Sequence, residues 1–285
     1  MIATGILYIV ATPIGNLKDI TLRALDTLRE VDLIAAEDTR HSKRLLQEYD
    51  INTPLISLHE HNEHSVLNLF LSHLDAGRKI ALISDAGTPL ICDPGFPLVR
   101  AARLAGFAVV PIPGACAAIA ALSASGIAAD HFVFEGFLPN ASNARSKRLE
   151  RFLEESRTVI FYEAVHRIVE SLTDMVRVLG SERRIVLARE MTKTYETFLD
   201  GTLSEVLNLV MNDSQQQRGE FVLILEGCQI TALDDALPKE AKRILSLLLA
   251  ELSVKQASQL AADITGCRKN ALYDYALNLG KKESE

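Results

Sequence analysis

The chain has no CxxC pair: its four cysteines, Cys92, Cys116, Cys228 and Cys267, stand far apart. Neither a zinc site nor a disulfide framework fits that spacing, and a reducing cytoplasm does. No GxGxxG follows the first apolar run, and GxxxxGK(S/T), HExxH and GxSxG are missing throughout. A kinase, a common dehydrogenase and a serine hydrolase are thereby disfavoured. No apolar stretch reaches the ~20 residues of a membrane span. The opening run, residues 6–11, lacks a basic leader and is broken by Pro13 and Gly15, so it reads as a buried strand and not as a signal peptide. An excess of positive charge is lacking too, the formal net charge being -7. Any nucleic-acid contact must therefore come from a local basic patch.

What is present is a globular composition, 48% hydrophobic and 24% charged over 285 residues, enough for one large or two modest domains with a substantial core. Short β-branched runs at 6–11, 33–36, 55–58, 80–84 and 108–112 alternate with helical apolar spacing at 21–30, 41–48, 62–76 and 96–105. That alternation predicts an α/β fold with a mostly parallel sheet. Ligands gather at the carboxyl ends of such strands, so the loops at 12–17, 85–95 and 113–117 are the first places for a site. A second set, with strands at 132–135, 159–162, 185–188, 197–199 and 221–225 and helices at 142–155, 167–179 and 203–211, predicts a mixed α/β half. The polar stretch 229–239 reads as a linker, and 240–252, 254–264 and 269–279 as three short helices of helix-turn-helix type. The expected domains are 1–126, 127–228 and 238–285.

Several stretches carry chemistry. In SDAGTPLICDPG, Ala86, Gly87 and Thr88 have so little bulk that a ligand can approach their backbone, and Asp85 is placed to accept from an ammonium group. Asp93 reads as a helix cap with Pro94 at the first helical position; the alternative for the whole stretch is a plain tight turn. Residues 115–124 form a helix of very small side chains, which must pack closely on a strand or a ligand. AEDTRH places Glu37, Asp38, Arg40 and His41 at a strand's end, and REMTKTYET gathers Arg189, Glu190, Lys193 and Glu196. Each group is either part of a cleft or a solvated network of charges. His59, His61 and His64 read as a polar loop and no metal is assigned. Arg145, Lys147, Arg148 and Arg151 alternate with Glu150 and Glu154, giving a solvated face or a phosphate contact.

VATPIGNLKDITLRAL, SDAGTPLICDPG and PGACAAIAAL together resemble the three motifs of the tetrapyrrole-methylase-like superfamily. TPIGNL, AEDTR, GFLP, FYE..HR, ARE.TK and GE.VL..EG are similar to the branch that methylates the ribose 2′-hydroxyl of a cytidine in 16S rRNA, over residues 12–227. The resemblance implies a two-lobed class III methyltransferase fold with a small C-terminal helix-turn-helix domain, an S-adenosylmethionine cofactor, a homodimer, and the small ribosomal subunit as partner. By motif position it implies cofactor contacts from Ile14, from Ala86, Gly87, Thr88 and Ile91, from Cys116 and Ala117, and from Tyr162, Glu163 and Met191, while Asp85 is a cofactor candidate from its own chemistry. Thr12-Pro13-Ile14 stands where the superfamily has a glycine-rich run, and Thr88 where it has an Asp.

Methyl transfer to a ribose hydroxyl needs alignment and a group that takes or weakens the hydroxyl proton. Glu37, Asp38, Arg40, Glu190 and Lys193 are the catalytic candidates, unranked. Arg145, Lys147, Arg148, Arg151, Arg268 and Lys269 are the expected RNA contacts. A methylase of the same superfamily acting on a tetrapyrrole or other small molecule is the alternative, and a DNA-binding regulator is a remoter one.

Overall fold

The computed structural model describes residues 5–228 and 237–282, in two compact units, Met1–Cys228 and Gln229–Glu285. The first unit opens with five parallel strands, β1 (Ile6–Val10), β2 (Leu33–Ala36), β3 (Leu55–Ser57), β4 (Lys79–Ile83) and β5 (Ala108–Ile112), in the order β3-β2-β4-β1-β5. Helices α1 (Leu22–Glu30), α2 (Thr39–Glu48), α3 (Glu63–Asp75) and α4 (Phe96–Leu104) make the crossovers. Parallel strands covered by helices are buried on both faces, which is why β2 reads Leu-Ile-Ala-Ala without alternation and all four residues are buried. α1 starts where the Thr21 hydroxyl accepts from the Ala24 N–H.

α4 begins later than the Asp93-Pro94 pattern indicates. Its cap is Gly95, at φ +116°, and its proline is Pro97 in the first turn. A Cβ on Gly95 would press to 2.8 Å from Leu82 Cδ2, so only glycine fits that turn. Asp93 is therefore not the helix cap.

α5 (Ala117–Ala124) leaves the first sheet and packs on the second. Ala118, Ala121 and Leu122 lie against Ile160, Val186, Ala188, Val222 and Ile224. Small side chains let the helix axis come close to the strands, which explains its composition.

The second sheet has the order β6-β7-β10-β8-β9, from β6 (Phe132–Phe137), β7 (Thr158–Glu163), β8 (Arg184–Arg189), β9 (Thr197–Thr202) and β10 (Phe221–Leu225). Only β6 and β7 are parallel; the other pairs are antiparallel. Its outer face is covered by α6 (Ser142–Leu149), α7 (Ile168–Leu179) and α8 (Leu203–Asn212). α6 is shorter than the helical pattern to 155 predicts. A tighter 3-10 turn at Glu150–Phe152 follows it and sets Phe152 edge-on to Phe161, ring centroids 5.4 Å apart. α8 carries a capping box between Thr202 and Glu205.

The second unit holds α9 (Lys239–Leu249), α10 (Val254–Thr265) and α11 (Lys269–Lys282) around a core of Leu245, Ala257, Ala261 and Leu272. Gly266, at φ +70°, ends α10. Among the described residues no helix is long and apolar enough to cross a membrane.

Candidate functional site

Four loops of the first unit meet at strand ends. The loop after β1 and the loop after β4 pair through their backbones: the Thr12 N–H donates to the Gly87 carbonyl at 2.9 Å, and the Gly87 N–H returns the bond at 3.1 Å. The Thr12 hydroxyl adds a bond to the Ser84 carbonyl. The Thr12-Pro13-Ile14 departure thus keeps a close backbone approach, because Gly87 supplies φ +80° and leaves room for Ile14. The Thr88 hydroxyl donates to the Ala115 carbonyl, joining the loop after β5. Across to the second sheet, the Asn16 N–H donates to Thr192 Oγ1, and Gly15 packs against Thr192 and Lys193. Tyr162, at the end of β7, accepts from the Ala118 N–H at the start of α5.

The backbone is strained where these loops meet. Leu90, Cys92, Glu190 and Thr192 all have φ between 50° and 75°. Non-glycine residues in that region cost of order 1–3 kcal/mol each, and they persist where the surroundings fix them for a purpose.

The loops enclose a cavity of about 490 Å³, in the range of small-molecule sites. Ile14, Asp85, Ala86, Gly87, Thr88, Ile91, Cys116, Ala117, Tyr162, Glu163 and Met191 all line it. Glu163 does so at the backbone, for its buried carboxylate turns away to Arg167 and Ser171. Besides Glu163, four acidic residues line it: Glu37, Asp85, Asp93 and Glu220. Burial, with Asp93 and Asp85 nearby, pushes the Glu37 carboxyl up to about 7. Burial likewise raises Asp93. Facing them are apolar groups, Ile14, Ile91, Phe137 and Met191. Such a wall fits a small molecule with a cationic centre and an apolar body.

The catalytic candidates separate. Only Glu37 of the five lines this cavity. Asp38 caps α2 and is paired with the exposed Arg40, which holds its carboxyl at about 2. Lys193 donates to Glu190 at 2.9 Å and to Glu220 at 3.0 Å. Burial opposes its charge, but those carboxylates outweigh it and raise Lys193 above its ordinary value. Lys193 is thus a fixed cation and not a base.

The expected RNA contacts separate too. Arg145 is 1% exposed, bonded by Nε to Asp174 and by Nη1 to the Asn140 carbonyl. It is a structural ion pair holding α6 to α7 and is removed from the RNA set. Arg148 pairs with Glu135, while Lys147 and Arg151 are exposed. In the second unit Arg268 is exposed and Lys269 half-buried at the start of α11.

Residues 6–207 match the family model of the tetrapyrrole (corrin/porphyrin) methylases, and residues 235–280 that of the RsmI C-terminal HTH domain. The ribosomal RNA small subunit methyltransferase I of Pseudomonas aeruginosa is 57% identical over 96% of this chain and 98% of its own. That of Haemophilus influenzae is 56% identical over 96% and 97%. The chain belongs to the ribosomal RNA small subunit methyltransferase I family. Among solved structures, a cobalt precorrin-4 methyltransferase matches 78% of this chain and 94% of its own, with TM-score 0.56 and 13% identity. A diphthine synthase matches 78% and 90%, with TM-score 0.57 and 12% identity. At such identities the likeness is one of fold, and the family rests on the sequence relatives and the two matching models.

Within this family member, sequence reasoning missed Phe137, Gly219, Glu220 and Val222 as cavity residues. Gly219 had a signal in GE.VL, because at φ +100° a Cβ there would overlap Glu190. Phe137 stands in GFLP and Val222 in GE.VL, but as apolar strand residues neither carries a chemical signal that would single it out within its motif.

Proposed function

We propose that this protein transfers the methyl group of S-adenosylmethionine to the ribose 2′-hydroxyl of a cytidine in the 16S rRNA of the small ribosomal subunit. The observation that carries the reading is the convergence of four loops on one carboxylate-lined cavity in a chain of this family. When bound, the cofactor supplies a methyl group on a sulfonium centre. Glu37, Asp85 and Asp93 complement that positive charge, and the small side chains of Ala86 and Gly87 admit the ligand to their backbone. Glu37 takes the hydroxyl proton as the oxygen–carbon bond forms and the sulfur–carbon bond breaks. Lys193, fixed by Glu190 and Glu220, stabilises the charge developing on the oxygen.

In this reading the lobes at 1–126 and 127–228 carry the chemistry, and 238–285 carries RNA through Arg268 and Lys269, joined by Lys147, Arg148 and Arg151. The protein works in the cytoplasm, where its ribosomal substrate is. It works as a homodimer, supported by apolar side chains left exposed, Ile119 and Phe132 among them; sedimentation as a monomer at micromolar concentration would remove that part. The test of the reaction is transfer of labelled methyl from S-adenosylmethionine to purified small subunits, followed by nuclease mapping. Label in a 2′-O-methylcytidine of 16S rRNA supports the reading, and label on a base or in a small molecule contradicts it.

A further inference from the structure

A second cavity, of about 550 Å³, adjoins the first and shares Ile14, Asp85, Ala86 and Glu220 with it. Its own lining has the opposite charge. His41 and Arg44 come from α2, and Lys193 from the loop after β8. Ser42 stands between them, 3% exposed, and its hydroxyl has no hydrogen-bond partner among the described residues. Its backbone N–H is used by the helix, donating to the Asp38 carbonyl, so the hydroxyl alone is left over. A buried hydroxyl without a partner opposes folding, and such groups are kept where a ligand completes them.

We propose that this second cavity seats the acceptor nucleotide of the RNA strand. Arg44 meets a phosphate that flanks the acceptor ribose, Lys193 lies towards the ribose oxygen, and the Ser42 hydroxyl bonds to the nucleotide itself. The two cavities meet at Ile14, Asp85 and Ala86, and there the acceptor ribose reaches the methyl group and Glu37. The contrast in cations carries the assignment: no Arg or Lys lines the first cavity, while Arg44 and Lys193 join Asp85 and Glu220 around the second. The inference rests on the proposed methyl transfer to rRNA and names the seat of its substrate.

The test uses the full chain as wild type, Ser42→Ala and Arg44→Ala. Three quantities are read: methyl transfer to small subunits at saturating S-adenosylmethionine, cofactor affinity by calorimetry, and thermal melting. Loss of one charge-assisted phosphate bond corresponds to about a tenfold fall in kcat/KM for the subunit in Arg44→Ala. Ser42→Ala should fall by roughly fivefold while melting no lower than wild type, since it removes a buried hydroxyl that has no partner to lose. Cofactor affinity should stay within about twofold in both, because neither residue lines the first cavity. Variants that match wild type on subunits would overturn the inference alone, and so would a loss of cofactor affinity in step with turnover. A wild-type chain that binds cofactor but methylates no subunit would overturn the inference together with the reading beneath it.

Discussion

Glu37 sits just beyond β2, half-buried, with the carboxylates of Asp93 and Asp85 near it. Its carboxyl is therefore pushed up to about 7 in the free chain. The folded protein holds a proton there that the unfolded chain, with the ordinary carboxyl value of 4.5, has already released. Stability contributed by that difference is thus lost as pH rises from about 4.5 to 7. Glu37→Gln removes the effect: its melting temperature should exceed wild type at pH 8, and the gap should close by pH 5. The same substitution should lower kcat by at least about a hundredfold while cofactor affinity holds, the usual size of a lost proton acceptor. A loss of cofactor affinity with kcat intact would instead make Glu37 part of the cation's recognition. In wild type the pH profile of kcat should lie acidward of that of kcat/KM for the cofactor, because a bound sulfonium favours the ionised carboxylate.

Gly219 acts through a neighbour. A Cβ at this position would overlap the Glu190 side chain, and φ is +100°. Gly219→Ala should displace Glu190 from Lys193 and cost about 1–3 kcal/mol in chemical unfolding, with turnover falling further than stability accounts for. Wild-type stability and turnover would show that Lys193 does not depend on that contact.

At the scale of elements, α6 separates packing from binding. Burial alone would raise the Asp174 carboxyl, but Arg177, Arg145 and Ser142 outweigh it and hold it below its ordinary value. Arg145→Ala leaves that carboxylate buried with one partner fewer, at a cost of about 3–5 kcal/mol, and should leave the salt dependence of RNA binding unchanged. The double change Lys147→Ala and Arg151→Ala should do the reverse, reducing the salt slope by about two with melting unaltered. A steeper loss of RNA binding in folded Arg145→Ala would restore it to the RNA set.

This helix also shows why the sequence is legible in some places and silent in others. Arg145 and Arg151 read alike along the chain, as basic residues on a polar helix, because their difference lies in Asp174, twenty-nine residues beyond Arg145. The strands 33–36 and 221–225 were legible to the residue, since fully buried apolar runs of that length have few other uses, and 108–112 was legible from its Val-Val-Pro-Ile run although only Ile112 is buried. The residues of the motif loops were legible as one group through the family resemblance; on their own chemistry only Ala86, Gly87 and Thr88 stood out, by their lack of bulk, and a plain turn fitted them as well. Asp93 was misread because Asp-Pro-Gly carries the letters of a cap, while the choice of Gly95 depends on Leu82 in another element. Ser42 carried no signal, as an orphaned hydroxyl exists only once the helix is packed.

The whole molecule joins a two-sheet unit to a separate three-helix unit with its own core. Each buries its own apolar residues, so a chain ending at Cys228 should melt cooperatively and bind S-adenosylmethionine with affinity close to that of the full protein. Its methyl transfer to small subunits should fall by at least about tenfold, and the salt slope of RNA binding by about the two charges of Arg268 and Lys269. Full activity of that shortened chain would show that the helical unit does not carry RNA.

The central claim is the reaction, and its most direct measurement is the mass of the methylated nucleoside. Small subunits incubated with the full chain and S-adenosylmethionine, then digested to nucleosides, should yield 2′-O-methylcytidine from one site of the 16S rRNA, and none with Glu37→Gln under the same conditions. Base-methylated product, or subunits left unmodified by a chain that binds the cofactor, would contradict the account.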